Sequence, residues 1–370
     1  MLGRTFAFAV AVAISACTAA NPSATPTPAP TRDPGSVNVS ALLDLSGSRT
    51  PSGAPQRDAL QLWADQHATG SPRLRLRIVD VAGSPSKTVL ELRRAAVEDR
   101  ADAIVIGVPV GYDEAFAAAV QLAQVPVLFT LPIPEPAAAG GWAFALAPTP
   151  AQLARATLDH AAARVVLRST VVVSDESVTA IPERAALVTD LARRGVTTSV
   201  LKVTASDAPQ RLRTIPPLTP IVFFAGTPKT YLDAARQTTP GTSLYLSYLS
   251  DLGDLADLRE AAAQAIWPGS RWIAATTSAN QARTAFLQSY TDRAGPPTSL
   301  AATAYDALSL LSTAAEGGIE PVRMRDRLQK GAFAGVATTY SFTMSRHAGF
   351  AVEDIAFLGY AGPRTAPVIR

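Results

Sequence analysis

From Val37 onward, short runs rich in β-branched residues alternate with runs whose apolar positions recur every three or four residues. That alternation predicts a parallel sheet covered by helices on both faces. The pattern opens with a strand over Val37–Leu45, a helix over Ala54–His67, and a strand in which Leu74, Leu76 and Ile78 alternate with Arg73, Arg75 and Arg77. One polar face puts this strand toward a sheet edge with its arginines in solvent. A helix follows over Ser86–Glu98, and the wholly apolar Ala103–Gly107 predicts a central strand. A helix over Asp113–Ala123 and a strand over Val125–Thr130 complete one doubly wound half.

After Pro148 the rhythm repeats. Helices are predicted over Ala151–Ala163, Pro182–Arg194 and Lys229–Arg236, and strands over Arg168–Val173, Ser199–Val203, Ile221–Ala225 and Ser243–Ser247. The rest of the chain carries helical runs over Asn280–Thr291, Leu300–Ala315 and Pro321–Lys330, then strand-like runs near Thr338–Phe342 and Glu353–Tyr360. The fold class is α/β with two doubly wound parallel-sheet lobes, and the tail is long enough to return to both.

The first residues follow a different logic. Arg4 precedes an apolar core, Phe6–Ile14, too short to span a bilayer, which predicts an export signal over residues 1–16. Ile14-Ser15-Ala16-Cys17 resembles the bacterial lipobox, so Cys17 is expected to carry diacylglycerol and to start the mature chain. Residues 17–36, rich in Pro, Thr, Ser and Ala, cannot bury a core and are expected to be an extended tether. No later stretch approaches the ~20 uninterrupted apolar residues of a membrane helix. The globular body is therefore expected outside the cytoplasmic membrane, held to it by lipid.

Composition narrows the function. The 370 residues are 48% hydrophobic and 17% charged, enough for two lobes with apolar cores. A net charge of +3, from 33 Lys+Arg against 30 Asp+Glu, gives no nucleic-acid footprint. One cysteine excludes an internal disulfide framework and a Cys-rich zinc module, and the three histidines, His67, His160 and His347, lie far apart, so no metal is expected. There is no G-x-S-x-G elbow, no H-E-x-x-H and no Gly-rich phosphate loop, so neither an enzyme nor a cofactor is expected.

In open parallel sheets ligands bind beyond the carboxyl ends of the strands. Two such sheets facing each other make a cleft, with candidate polar contacts from Ser46, Tyr112 and Thr130 in the first half and Ser174, Asp175, Thr227 and Tyr248 in the second. Tyr112 and Tyr248 each follow a strand end and are expected to face each other across it, since an amphipathic ring offers contact area and a hydrogen bond.

Several segments resemble the type I periplasmic binding proteins, in the branch of the leucine/isoleucine/valine-binding protein of ABC importers. They are Leu42-Leu43-Asp44-Leu45-Ser46-Gly47 with Gly53, Asp80 with Ser84-Pro85, Ile104–Gly107, Val125–Thr130, and Phe286, Tyr290, Pro297 and Ala304-Tyr305-Asp306-Ala307. The resemblance implies two lobes joined by three crossings, here 37–147 with 276–334 and 148–275 with 335–370. It also implies a monomer that closes on a small polar solute, an amino acid, amide or relative, and passes it to an ABC permease. The sequence departs from amino-acid binders at Val110-Gly111-Tyr112 and Thr130–Pro134, where prolines remove backbone donors. Near Tyr248-Leu249 the expected acid is missing, with Asp251 as nearest substitute. A second reading is therefore a ligand-sensing or scaffold lipoprotein of the same fold that has lost amino-acid binding and engages a protein partner.

Overall fold

The first strand, β1 (Ser36–Leu43), is buried along nearly its whole length and pairs in parallel with β2 (Arg73–Asp80) on one side and β3 (Ala103–Gly107) on the other. The computed structural model describes residues 35–47, 52–138, 141–204, 206–217, 219–226, 242–250, 265–274, 280–360 and 367–369. With β4 (Val127–Phe129) and β5 (Ala143–Ala145) the first sheet runs β2-β1-β3-β4-β5, parallel throughout. Helices α1 (Gly53–Gln66), α2 (Pro85–Val97) and α3 (Glu114–Ala123) connect its strands. The β2 pattern predicted an edge: Arg73, Arg75 and Arg77 are exposed, while Leu74, Leu76 and Ile78 lean on the core. The start of α2 is equally local in origin, because Ser84 accepts a hydrogen bond from the Lys87 N–H and Pro85 has no N–H to leave unsatisfied.

The second lobe repeats the order. After α4 (Pro150–Ala162) come β6 (Ser169–Ser174), α5 (Ala180–Arg193), β7 (Thr197–Lys202), α6 (Ala208–Leu212), β8 (Ile221–Ala225), β9 (Ser243–Tyr245) and β10 (Ala265–Ser270). The sheet runs β7-β6-β8-β9-β10 in parallel and then adds β13 (Ile355–Tyr360) and β14 (Pro367–Ile369) antiparallel. The five strands β6 to β10 make the expected parallel sheet, and the tail adds the two antiparallel pairings at its edge. Strand β10 was not predicted, because Pro268 and Gly269 interrupt its pattern. Its fully buried Trp267 and its pairing with β9 and β13 hold it in the sheet. The helix expected over Lys229–Arg236 lies outside the described residues.

Helices α7 (Gln281–Ala294), α8 (Ser299–Ala315) and α9 (Pro321–Leu328) return to the first lobe, followed by a hairpin, β11 (Ala332–Ala334) and β12 (Thr339–Ser341). The buried helix α8 lies along α1, where the Trp63 indole N–H donates to Ser309 Oγ at 2.9 Å. One hydrophobic core runs from β1 through α1 and α8 to Val173, Phe224 and Trp267 of the second sheet. The crossings add polar joints to it. Asp306 on α8 accepts the N–H groups of Val336 (2.7 Å) and Ala337 (2.8 Å) and the Tyr340 hydroxyl (3.0 Å). The Ser270 N–H, at the end of β10, donates to Ser299 Oγ at 2.9 Å. The last crossing also covers the β5 edge, with the Ala145 N–H donating to the His347 carbonyl and the Gly349 N–H to that of Ala145.

Candidate functional site

In the second sheet the strand order reverses between β6 and β8, the place where loops diverge and leave room for a ligand. Asp175 ends β6 there, donating its N–H to the Ala225 carbonyl and accepting the Ser177 N–H. Gly226 ends β8 with φ +135°, and a Cβ at that position would stand 2.4 Å from the Asp175 carboxyl carbon. Only glycine meets both the dihedral and the close approach. Glu183, in the first turn of α5, reaches the same point, where its carboxyl hydrogen-bonds the Ser247 hydroxyl and the Gly226 N–H.

Glu183 lies between two small cavities. One is lined by Pro132, Pro150, Leu153, Thr179, Ser247 and Leu249 and holds about 10 Å³, room for one water molecule. The other is walled by core side chains such as Leu187, Phe223 and Phe224. The residue as a whole is half-buried, and its carboxyl is the desolvated end. Burial pushes that carboxyl up to about 8 against the two hydrogen bonds that oppose the rise, and the Asp175 charge pushes the same way. Near pH 7 it is largely neutral.

Because Pro132 follows β4 of the first lobe while Leu153 and Ser247 belong to the second, the first cavity lies where the lobes meet. Around it the lobes touch. A Cβ on Gly111 would be 3.8 Å from that of Val178, and Leu131 and Leu300 form one buried cluster with Leu153, Tyr248 and Leu249. Among the described residues these contacts close off the first cavity.

The expected site residues distribute unevenly. Asp175 stands beside Glu183 at the lobe junction. Ser174, in β6 just before Asp175, is fully buried, its hydroxyl donating to Glu176, which also pairs with Arg184 and Lys202. Ser46 donates to Asp80, whose carboxylate also accepts the Leu45 and Ala82 N–H groups. These bonds outweigh desolvation and hold Asp80 down at about 2. Thr130 is fully buried, bonded to the Gln56 side chain and the Ile106 carbonyl within its own lobe, so it does not reach the cavity. Tyr112 and Tyr248, expected to face each other, have different neighbours. The Tyr112 ring packs edge-on against Phe129 at 5.3 Å in the first lobe, while Tyr248 is fully buried in the apolar cluster at the junction. Thr227, Asp251 and Cys17 lie outside the described residues.

Glu183 was missed in the sequence. An acid in the first turn of a helix complements the helix dipole, and nothing in Ile181-Pro182-Glu183-Arg184 separates that role from a cleft position. Among the described residues no group of three or more His, Cys, Asp or Glu side chains is placed to hold a metal ion, and no helix is long and apolar enough to cross a membrane.

With this geometry the comparisons agree on the fold. No curated protein matches the sequence. Among solved structures, an extracellular ligand-binding receptor from Rhodopseudomonas palustris HaA2 superposes with a TM-score of 0.76 at 15% identity, over 90% of this chain and 100% of its own. The branched-chain amino acid transporter substrate binding protein LivJ from Streptococcus pneumoniae, in complex with isoleucine, gives 0.73 at 15% identity over 90% and 99%. An R. palustris ABC transporter solute binding protein in complex with benzoate gives 0.73 at 16% identity over 90% and 96%. The family model described as periplasmic binding protein matches residues 36–361, taking in the first sheet, all of the second but β14, the crossings between them and the junction where Asp175 and Glu183 meet. The chain therefore belongs to the periplasmic binding proteins.

Proposed function

We propose that this chain is an extracytoplasmic solute-binding protein of an ABC importer, held to the membrane through lipid on Cys17 and binding without catalysis. Its lobes are taken as 37–147 with 276–334 and 148–275 with 335–370, and it delivers a small solute to a permease as a monomer. The observation that carries the reading is the carboxyl of Glu183 at a cavity between two lobes that meet through apolar side chains and are linked by chain crossings. The solute separates the lobes at Leu131, Leu153 and Leu249, takes the place of those contacts, and is enclosed when the lobes close again. The isoleucine and benzoate bound to two of the structural relatives fit a solute with an apolar body.

A thermal-shift screen over amino acids, amides, amines, sugars and aromatic acids tests this. A solute at about 100 times its Kd adds ~2.7 kcal/mol to the folded state. One observation favours the scaffold reading instead, namely the apolar cluster of Leu131, Ala147, Leu153, Tyr248, Leu249 and Leu300 that seals the junction. If no solute shifts the melting temperature while a membrane or periplasmic protein co-purifies in stoichiometric amount, the scaffold reading replaces the binder.

A further inference from the structure

We propose that the solute is an amine: the junction of the lobes receives a cationic nitrogen on Glu183, with an apolar body beside it, and its described residues offer no seat for a carboxylate. This rests on the solute-binding reading above and names the class of solute.

The argument starts with what lines the cavity. Pro132 and Pro150 have no N–H to donate, and Leu153 and Leu249 present only carbon. Two hydroxyls remain, and both are engaged. Ser247 Oγ accepts the Leu249 N–H at 3.2 Å and bonds Glu183, and Thr179 Oγ1 lies 3.4 Å from Ser177 Oγ. Glu183 is the one ionisable residue in the lining. A carboxylate has about four lone-pair directions, and the two donors that Glu183 engages leave others for a ligand.

Charge points the same way. Among the described residues, the nearby cations Arg184 and Lys202 both pair with Glu176 and do not line the cavity. Among the described residues a solute carboxylate would enter beside the Glu183 and Asp175 carboxyls with no positive partner, and a buried unpaired charge is costly. An ammonium meets the opposite situation. It supplies a counter-charge to Glu183, so the carboxyl gives up its proton to solvent as the ion pair forms. The apolar walls then cover the carbon body of the amine.

This exchange has a signature. Because burial and Asp175 hold the Glu183 carboxyl largely neutral near pH 7, each amine bound at or below that pH expels close to one proton. Affinity then rises about tenfold per pH unit between 6 and 8 and levels off above.

The test uses the full chain and two pairs of probes: 2-phenylethylamine against 3-phenylpropanoate, and 3-methylbutylamine against leucine. Calorimetry at pH 6.5 and 8.5, in buffers of different ionisation enthalpy, reads affinity and proton release together. The expected result is amine binding that is at least tenfold tighter at pH 8.5, with proton release at pH 6.5 and no response to 3-phenylpropanoate. Glu183→Gln should weaken amine binding at least tenfold and abolish proton release. Asp175→Asn, a second variant that keeps the Glu183 carboxyl, should move the pH profile to lower pH. Equal or tighter binding of the carboxylates, or amine binding that ignores both pH and Glu183→Gln, overturns the amine assignment while leaving solute binding intact. A protein on which no solute of any class has an effect loses both.

Discussion

Asp306 offers the sharpest check on how the lobes are joined. Its carboxyl is fully buried on α8 and holds the crossing segment through the Val336 and Ala337 N–H groups and the Tyr340 hydroxyl. Burial carries it from an ordinary 3.8 to about 7, although those three bonds and the Arg283 guanidinium pull it down. At 1.36 kcal/mol per pH unit that difference corresponds to about 4 kcal/mol. For a carboxyl raised in the folded state, the folded chain holds more protons than the unfolded one between the two values. The stabilisation is complete below pH 3.8 and is lost as pH rises to about 7. Tyr340, which can donate or accept, serves either protonation state. Asp306→Asn removes the titration and turns an amide NH2 toward one of the two backbone donors, at a cost of about 1–3 kcal/mol. Urea unfolding from pH 4.5 to 8 should show the wild type losing about 3–4 kcal/mol relative to the variant, so that its lead at the acid end vanishes or reverses by pH 8. Parallel stability curves for the two proteins would refute the reasoning. So would a variant that falls further behind as pH rises, because an ionised, stabilising Asp306 would then be holding the crossing.

Three other changes have defined outcomes. Cys17→Ser should leave the membrane fraction or accumulate as uncleaved precursor, because the acyl chains supply ~0.8 kcal/mol per buried methylene, and a variant still processed and membrane-bound in fractionation would remove the anchor. Gly226→Ala sets a Cβ 2.4 Å from the Asp175 carboxyl carbon at a φ of +135°, so it should cost at least ~1–3 kcal/mol in urea unfolding and disturb solute binding, whereas Gly195→Ala, whose Cβ meets nothing within 4 Å, tests strain from positive φ alone. Trp267→Ala, at a fully buried side chain in the core shared by both sheets, should cost ~3–5 kcal/mol, seen as a lower urea midpoint with an unchanged slope.

Much of the fold was legible because each element carries its own period. The alternation of Arg73, Arg75 and Arg77 with leucines and isoleucine placed β2 at an edge, and the unbroken apolar run at Ala103–Gly107 placed β3 in a sheet centre. Ser84-Pro85 and Thr149-Pro150 started helices where local capping chemistry required. Strand β10 escaped because its Pro268 and Gly269 contradict strand propensity, and pairing on both sides overrules them.

What the sequence determined by itself is therefore what neighbouring residues decide among themselves: periodicity, caps, turns, and the repeated alternation of strand and helix in two halves. The tertiary structure decided which polar groups remain for a ligand. Ser46 and Thr130 look alike in sequence, yet Ser46 is engaged by Asp80 from β2 and Thr130 by Gln56 from α1. Glu183 reads as an ordinary first-turn acid until folding carries Gly226, Ser247 and Asp175 against it. The physical reason is that a hydrogen bond or a desolvated charge depends on which distant chain segment fills the remaining space, and strand order, not local pattern, sets that.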